Sequence, residues 1–256
     1  MALIFEVIRG GGDNLSYLVG CSTERLAAVI DPVSAHDILD LCRRKNLSIR
    51  YVLNTHGHAD HIGGNEVIAN TTGAEILAHP LERIRNSRRV KDGDVIKVGK
   101  VRIEVLFCPG HTPGGLCFRT GNRLLSGDTV FLGGAGNTRF GGQVQDLFHT
   151  FDRKILPLPA RMEICPGHDY AAVNLRFAQT LEPDNHAIDL KLKEVRQTTR
   201  RNGLCRSTIK EERQYNPFFR YKSAELIMSL QAEYPDLELD EPNAVFSLIR
   251  ELRNAW

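Results

Sequence analysis

The chain has 256 residues, 42% of them hydrophobic, which is enough for one large core or for a core with an appended subdomain. Its 33 basic and 31 acidic residues leave a net charge of +2, which gives no indication of a nucleic-acid partner or an anionic membrane. No segment approaches the roughly 18 apolar residues of a membrane span, and no export signal is recognisable. Six scattered cysteines without a CxxC pair are typical of reduced thiols, so we expect a soluble cytoplasmic protein.

The first two-thirds of the chain predict short strands that alternate with helices. Ser34 is placed to cap a helix, and Gly73 is placed to end a second one. A third helical stretch begins near Asp146 and ends at prolines. The alternation favours a layered α/β domain. The predicted strands, in chain order, are LIFEVI, LSYLVG, LAAVIDP, IRYVLN, EILAH, DVIKV, VRIEVLFCPG, GLCFRT, RLLSGDTVF and MEICPGH.

The pattern changes after about Tyr170. The following sequence, AAVNLRFAQTLEPDNHAIDLKLKEVRQTTRRNG, is helical in period, and so are SAELIMSLQ and NAVFSLIRELRNAW. We therefore predict two domains, an α/β domain over residues 1–170 and a helical subdomain over residues 171–256.

The segment YVLNTHGHADHIGG carries His56, His58, Asp60 and His61 directly after an apolar strand. Side chains two apart in an extended segment point the same way, so one cation could take both of the first two histidines. The aspartate and the third histidine lie further round the loop and could face a second cation. Four possible ligands in six positions indicate a metal site.

Three more candidate ligands follow apolar strands, and each is preceded by a glycine that permits a tight turn. They are His111 in FCPGHTPGG, Asp128 in LLSGDTVF and His168 in EICPGHDY. One such strand end is weak evidence by itself. Three such strand ends, together with the histidine-rich loop, are strong evidence for a metal site. Cys108 and Cys165 precede two of these turns and are interpreted as packing residues.

The segments THGHADH, PGHTPGG, SGDTVF and CPGHDY, in this order, resemble the metallo-β-lactamase superfamily over about residues 2–170. The resemblance implies an α/β fold, a four-layer αβ/βα sandwich with a metal site at the sheet edges and a helical subdomain after it. It implies two divalent ions, with the ligands His56, His58 and His111 for one, Asp60, His61 and His168 for the other, and Asp128 bridging both. Asp31 resembles the acidic residue behind that site, although a simple turn opener explains it nearly as well.

By the same resemblance, two ions share a water whose pKa falls from ~15.7 towards ~7, so that a bridging hydroxide becomes the nucleophile. Asp60 and Asp128 are then the catalytic carboxylates. The identity of the ions stays open among zinc, iron and manganese.

The second half of the chain resembles glyoxalase II, the hydroxyacylglutathione hydrolases. The similar segments are GHDYAAVNLRFAQTLEPDN, STIKEERQYNPFFR and AVFSLIRELRNAW. The resemblance implies hydrolysis of a thioester of the S-lactoylglutathione type. It places Tyr170 against the glutathione moiety, and Arg220 and Lys222 against its carboxylates. The alternative that Arg220 and Lys222 are simply solvent-exposed residues at the start of a helix explains them equally well.

One loop departs from that family. A loop that usually reads GCGRFFEG reads GGAGNTRFGG here, with Asn137 at the usual basic position. Arg139 and Phe140 are the residues that would contact the substrate instead. The identity of the thiol carrier therefore stays open.

This loop, HADHIGG, GHDY and the EERxxNP pattern also resemble the persulfide dioxygenases. Those enzymes hold a single iron on positions that match His56, His111 and Asp128, and they oxidise glutathione persulfide. The helical insertion over residues 171–206 favours the hydrolase over this alternative.

Two further functions are disfavoured. A non-catalytic, metal-stabilised binding protein would not need the complete ligand set. A nuclease would call for more positive charge and for aromatic residues among the basic ones. We expect a small-molecule thioester or thiol substrate, no nucleic-acid or membrane partner, and a monomer or small homo-oligomer.

Overall fold

The computed structural model describes residues 3–256, and its first half forms a six-stranded sheet. The first three strands of this sheet are antiparallel and the remaining neighbours are parallel. In spatial order they are β1 (Leu3–Gly10), β2 (Asn14–Cys21), β3 (Leu26–Ile30), β4 (Ser48–Leu53), β5 (Glu75–Ala78) and β6 (Ser87–Arg89).

Helices α1 (Ala35–Lys45) and α3 (Asn65–Thr72) cover the outer face of this sheet, and the short helix α2 (Ala59–Ile62) lies at its edge. Both predicted helix ends are confirmed. The Ser34 hydroxyl accepts the amide of the third residue of α1, and Gly73 ends α3 at a φ of 73°.

A second six-stranded sheet and a two-stranded ribbon follow. The strands, in chain order, are β7 (Val95–Val98), β8 (Val101–Phe107), β9 (Leu116–Thr120), β10 (Arg123–Gly127), β11 (Val130–Phe131), β12 (Gly134–Ala135), β13 (Glu163–Pro166) and β14 (Ser207–Thr208). The large sheet has the order β14-β13-β10-β9-β8-β7, and β11 pairs with β12.

Further helices pack on the outer face of the second sheet. They are α4 (Val144–Thr150), α5 (Ala171–Leu181), α7 (Ile209–Tyr215), α8 (Pro217–Arg220), α9 (Ala224–Glu233) and α10 (Pro242–Ala255), while α6 (His186–Arg200) packs on α5 and α7 instead. Apolar residues of both sheets, such as Val19 and Val105, meet in the middle. The predicted four-layer sandwich with a C-terminal helical part is confirmed.

The structure adds several short elements that the sequence did not predict, such as β6, α7 and α8, and it differs from the longer predicted elements as follows. The long helical stretch after Tyr170 is broken at Pro183, because proline cannot continue a helix. The third helix changes after Thr150 into a wider turn, in which the amide of Leu156 bonds to the carbonyl of Phe151. The two-residue strand β14 joins the second sheet by pairing with β13.

The domain boundary at residue 170 stays a prediction, although α5 begins at Ala171. The C-terminal part is not packed as a separate body, since it supplies an edge strand to the second sheet. Among the helices of residues 3–256, none has both the length and the apolar composition needed to cross a membrane.

Candidate metal centre

The histidine-rich loop leaves the carboxyl end of β4, at the edge where the two sheets meet. His56 and His61 are buried, His58 is half-buried, and Asp60 lies in the first turn of α2. The buried amide of Asn54 donates to the carbonyl oxygen of His61 at 3.2 Å, which pins the loop to the end of the strand. The backbone amide of Asn54 still bonds to the carbonyl of Leu77 on β5, so its side chain is free to satisfy a buried carbonyl of the loop.

The first cluster of ligands contains His56, His58 and His111. One nitrogen from each lies within 4.8 Å of the others, and His58 Nδ1 is 3.1 Å from His111 Nε2. Burial, together with the charge of the neighbouring His61, holds the pKa of His56 well below its usual value. A neutral imidazole is the form that binds a cation.

The second cluster contains Asp60, His61 and His168. The Nε2 atoms of the two histidines are 3.2 Å apart, and the Asp60 carboxylate is 3.3 Å from His168 Nε2. Burial alone would raise the pKa of Asp60, but the hydrogen bond from Asn14 and the charge of His61 lower it below its usual value. This cluster therefore offers a carboxylate as well as imidazoles.

Asp128, at the end of β10, lies between the two clusters. Its carboxylate oxygens are 3.3 Å from His61 Nε2, 3.6 Å from His111 Nε2 and 3.5 Å from His168 Nε2. Burial would raise its pKa, yet the close approach and the charge of His61 hold the pKa well below the usual range. Asp128 is thus an ionised carboxylate in contact with both sets of ligands.

Two buried atoms at this point have no hydrogen-bond partner within residues 3–256, namely His56 Nε2 and Asp128 Oδ1. A buried acceptor without a partner costs free energy unless a cation or water satisfies it. Imidazole nitrogens and carboxylate oxygens that converge in this way fit a divalent transition-metal ion. The chain therefore has a divalent metal site.

Asp31 supports the second cluster from behind. Its carboxylate accepts the backbone amide of Thr55 at 2.8 Å and the Thr55 hydroxyl at 2.6 Å, and it lies 3.1 Å from His61 Nδ1. Ligating histidines commonly contact a carboxylate through the other ring nitrogen, which fixes the ring and its tautomer.

The turn between β1 and β2 provides two contacts that sequence reasoning missed. The Asn14 side chain donates to the Asp60 carboxylate at 3.1 Å, and Asp13 lies 2.9 Å from His168 Nδ1. In the sequence, the pair Asp13-Asn14 at the start of a strand is typical of an ordinary turn. Only the tertiary structure brings it to the ligands.

A hollow of about 360 Å³ opens over the clusters. The Tyr170 ring stacks on His168 with centroids 4.8 Å apart, and Phe140, which is 68% exposed, meets the edge of His58 at 5.9 Å. A second hollow of about 260 Å³ adjoins the first and shares both aromatic residues with it. Tyr170 and Phe140 therefore line both hollows, and their contact with a substrate stays a prediction.

Three guanidinium groups line the second hollow, those of Arg139, Arg250 and Arg253. In the described part of the chain, their hydrogen bonds go to backbone carbonyls and one amide side chain rather than to carboxylates. Burial and the neighbouring positive charges lower the pKa of Arg250 to about 9. The hollow therefore lacks anionic partners and suits an anionic ligand. Arg250 and Arg253 were missed because the helical period of α10 accounts for them without a site.

Arg220 and Lys222 were expected to contact a substrate, but they do not line either hollow. The Arg220 guanidinium makes a bidentate pair with Glu182 at 2.7 and 2.8 Å, and the Lys222 ammonium lies 2.7 Å from Asp152. Each of these charges therefore already has a partner within the protein. Their contact with a substrate stays a prediction, which these ion pairs do not support.

The comparisons with known proteins match both halves of the chain. A model of the metallo-beta-lactamase superfamily matches residues 9–168, and a model described as hydroxyacylglutathione hydrolase C-terminus matches residues 169–256. A hydroxyacylglutathione hydrolase of Polaromonas sp. (strain JS666) is 42% identical over 95% of both chains. The one of Nitrosococcus oceani is 39% identical, again over 95% of both.

Solved structures resemble the fold. The crystal structure of ETHE1 from Myxococcus xanthus has a TM-score of 0.69 at 24% identity and covers 98% of this chain and 99% of that one. TTHA1623 in a di-iron-bound form has a TM-score of 0.61 at 23% identity, covering 84% of this chain and 100% of that one. At such identities the likeness extends to the fold alone.

Proposed function

Because this chain belongs to the metallo-β-lactamase superfamily and, within it, to the hydroxyacylglutathione hydrolases, we propose that it hydrolyses the thioester of a hydroxyacyl-glutathione such as S-lactoylglutathione. The observation that carries this proposal is the meeting of two ligand clusters at Asp128. Asp60, His61 and His168 supply a second set of ligands beside the first. Since the resemblance to the dioxygenases includes these positions, the match to hydroxyacylglutathione hydrolases over nearly the whole chain is what favours the hydrolase.

We assign one divalent ion to His56, His58 and His111, and a second to Asp60, His61 and His168, with Asp128 between them. When bound, zinc, iron or manganese at these positions would lower the pKa of a water and polarise a carbonyl group. The clusters contain the nitrogen and oxygen donors that such ions accept.

The two carboxylates that face the first hollow, those of Asp60 and Asp128, act on the reacting centre. Both have a pKa below the usual value, so both are ionised and can hold a water by accepting its hydrogen bonds. The leaving thiol has a pKa near ~8.5 and departs as a thiolate, so the reaction requires no strong general acid.

The second hollow binds the peptide part of the substrate. Glutathione has a carboxylate at each end, and a guanidinium grips a carboxylate through two parallel hydrogen bonds. Arg250 and Arg253 on α10, and Arg139 in the loop before α4, provide the guanidinium groups that would bind these carboxylates. Tyr170 and Phe140 lie at the junction of the two hollows and orient the acyl-sulfur segment between them.

The substitution Arg253→Met tests the substrate assignment. A charge-assisted hydrogen bond contributes about 1.5–3 kcal/mol, so KM for S-lactoylglutathione should rise about 10-fold or more, while kcat changes little. The exposed Arg196 on α6 lines neither hollow, and Arg196→Met is the matched control. An unchanged KM in Arg253→Met would show that the peptide lies elsewhere.

Trp256 gives an independent measure of binding. It is the only tryptophan in the chain, and the Arg253 guanidinium lies 5.3 Å from the centre of its ring. Glutathione that occupies the second hollow should therefore change the intrinsic fluorescence of the protein. Fluorescence that does not respond at concentrations near KM contradicts this placement.

A further inference from the structure

Glu82 is buried where an exposed residue would be expected. It lies in the turn after β5, with only 7% of its surface exposed, while its neighbour Leu81 is 60% exposed. In this turn the leucine faces solvent and the glutamate is buried. This is the reverse of the usual distribution, because burying a carboxylate costs free energy. Such a reversal calls for a compensating role.

The contacts of this carboxylate join two loops. One oxygen accepts the backbone amide of Gly57 at 2.8 Å. The other accepts the Thr112 hydroxyl at 2.6 Å and the amide of Gly114 at 3.0 Å. Gly57 lies between His56 and His58 in the chain, and Thr112 directly follows His111. All three donors are neutral, so within residues 3–256 these bonds do not neutralise the carboxylate.

The fit around the carboxylate is close. A Cβ atom on Gly57 would lie 2.9 Å from one Glu82 oxygen, and a Cβ on Gly114 would lie 2.7 Å from the other. Real Cβ atoms do not approach that closely, so both positions require glycine for this arrangement. The two loops are therefore shaped around the carboxylate.

We propose that Glu82 is a positioning residue that holds the histidines of the first cluster in place for a metal ion. The three histidines come from two separate loops, and this one carboxylate ties the two loops together. It also adds a carboxylate beside a cluster that has none of its own, and a negative charge favours a dication. The proposal rests on the proposed metal centre and is independent of the identity of the substrate.

The test measures the affinity for zinc alone by competition with a chelator, in a chain that carries Asp60→Ala. That change removes a ligand of the second cluster only, so the measured affinity belongs to the first cluster, whether or not a second ion binds to the unmodified chain. In this background Glu82→Gln removes the charge and one acceptor while the size is kept. We expect zinc to bind about 10–100-fold more weakly, the usual loss for a residue that supports ligands.

Glu75→Gln is the matched control. Glu75 lies on β5, close to Glu82 in sequence, but its carboxylate pairs with the exposed Arg50 and Arg88. In the Asp60→Ala chain, the Glu75→Gln variant should bind zinc with the same affinity as the Asp60→Ala chain itself. If Glu82→Gln binds zinc as tightly as this control, the proposal is wrong, whatever the protein hydrolyses. A lower unfolding temperature of metal-free Glu82→Gln at unchanged zinc affinity would equally contradict it.

A milder pair of variants keeps the test informative if Glu82→Gln does not fold. Thr112→Val removes only the hydroxyl that donates to Glu82, and Thr112→Ser keeps it. We expect Thr112→Val to weaken zinc binding several-fold and Thr112→Ser to restore it. Equal affinities for these two variants would exclude the hydrogen bond as the cause and overturn the proposal.

Discussion

The two ligand clusters differ in how the fold supports them. The first has three imidazoles from two loops that Glu82 ties together inside the protein. The second includes Asp60, whose side chain is 50% exposed and whose carboxylate is held by the side chain of Asn14. One buried carboxylate therefore joins the loops of the first cluster, whereas one ligand of the second is half-exposed.

The clusters also differ in charge. The first contains no carboxylate of its own, whereas the second contains Asp60 and has Asp31 behind His61. Asp128 contributes its negative charge to both. Removing the charge of the shared Asp128 carboxylate should weaken metal binding at both clusters. Changes confined to the second cluster should leave the ion of the first cluster bound.

The largest effect is expected for Asp128→Asn. The amide keeps the shape but loses the charge that both clusters share, so thioester hydrolysis should fall by more than about 100-fold, beyond the loss typical of a supporting residue. Metal content per chain should fall with it. The exposed Asp236→Asn is the control, and a similar loss in that variant would mean that the effect is not local.

Asp60→Ala separates the clusters. It removes the carboxylate that belongs to the second cluster alone and leaves the first cluster intact, so bound zinc should fall from two ions per chain to one. Hydrolysis should fall strongly because the Asp60 carboxylate also faces the hollow. Metal analysis of the purified protein measures this, and an unchanged stoichiometry would contradict the second ion.

A smaller effect is expected for Asn14→Ala. The variant removes the hydrogen bond to Asp60 but no ligand, so the second ion should bind about 10–100-fold more weakly while the first is unaffected. Stepwise zinc titration resolves the two affinities. Asn70→Ala, at an exposed position on α3, is the matched control. Equal loss of both ions in Asn14→Ala would show that the turn serves the whole fold rather than one cluster.

The sequence predicted the metal centre well because its signals are local. His56, His58, Asp60 and His61 fall within six residues after one strand, and strand ends of the same sandwich meet at one edge. The helix ends at Ser34 and Gly73 were predictable for the same reason, since a cap acts within a few residues.

Residues whose role depends on distant parts of the chain were not predictable. Arg250 and Arg253 fit an ordinary amphipathic helix, and only the approach of α10 to the loop of Arg139 brings them to the second hollow. Glu82 looks like a surface residue in LERIR, and Asn14 looks like a turn residue. The pairing of Arg220 with Glu182, 38 residues earlier, could not be predicted for the same reason.

The most direct test of the central claim uses one metal-loaded preparation in two assays. It measures hydrolysis of S-lactoylglutathione and, in parallel, oxygen uptake with glutathione persulfide, for zinc-loaded and iron-loaded protein. We predict thioester hydrolysis with either metal and no oxygen uptake above the protein-free rate. Oxygen uptake by the iron-loaded protein with the thioester left intact would contradict the account.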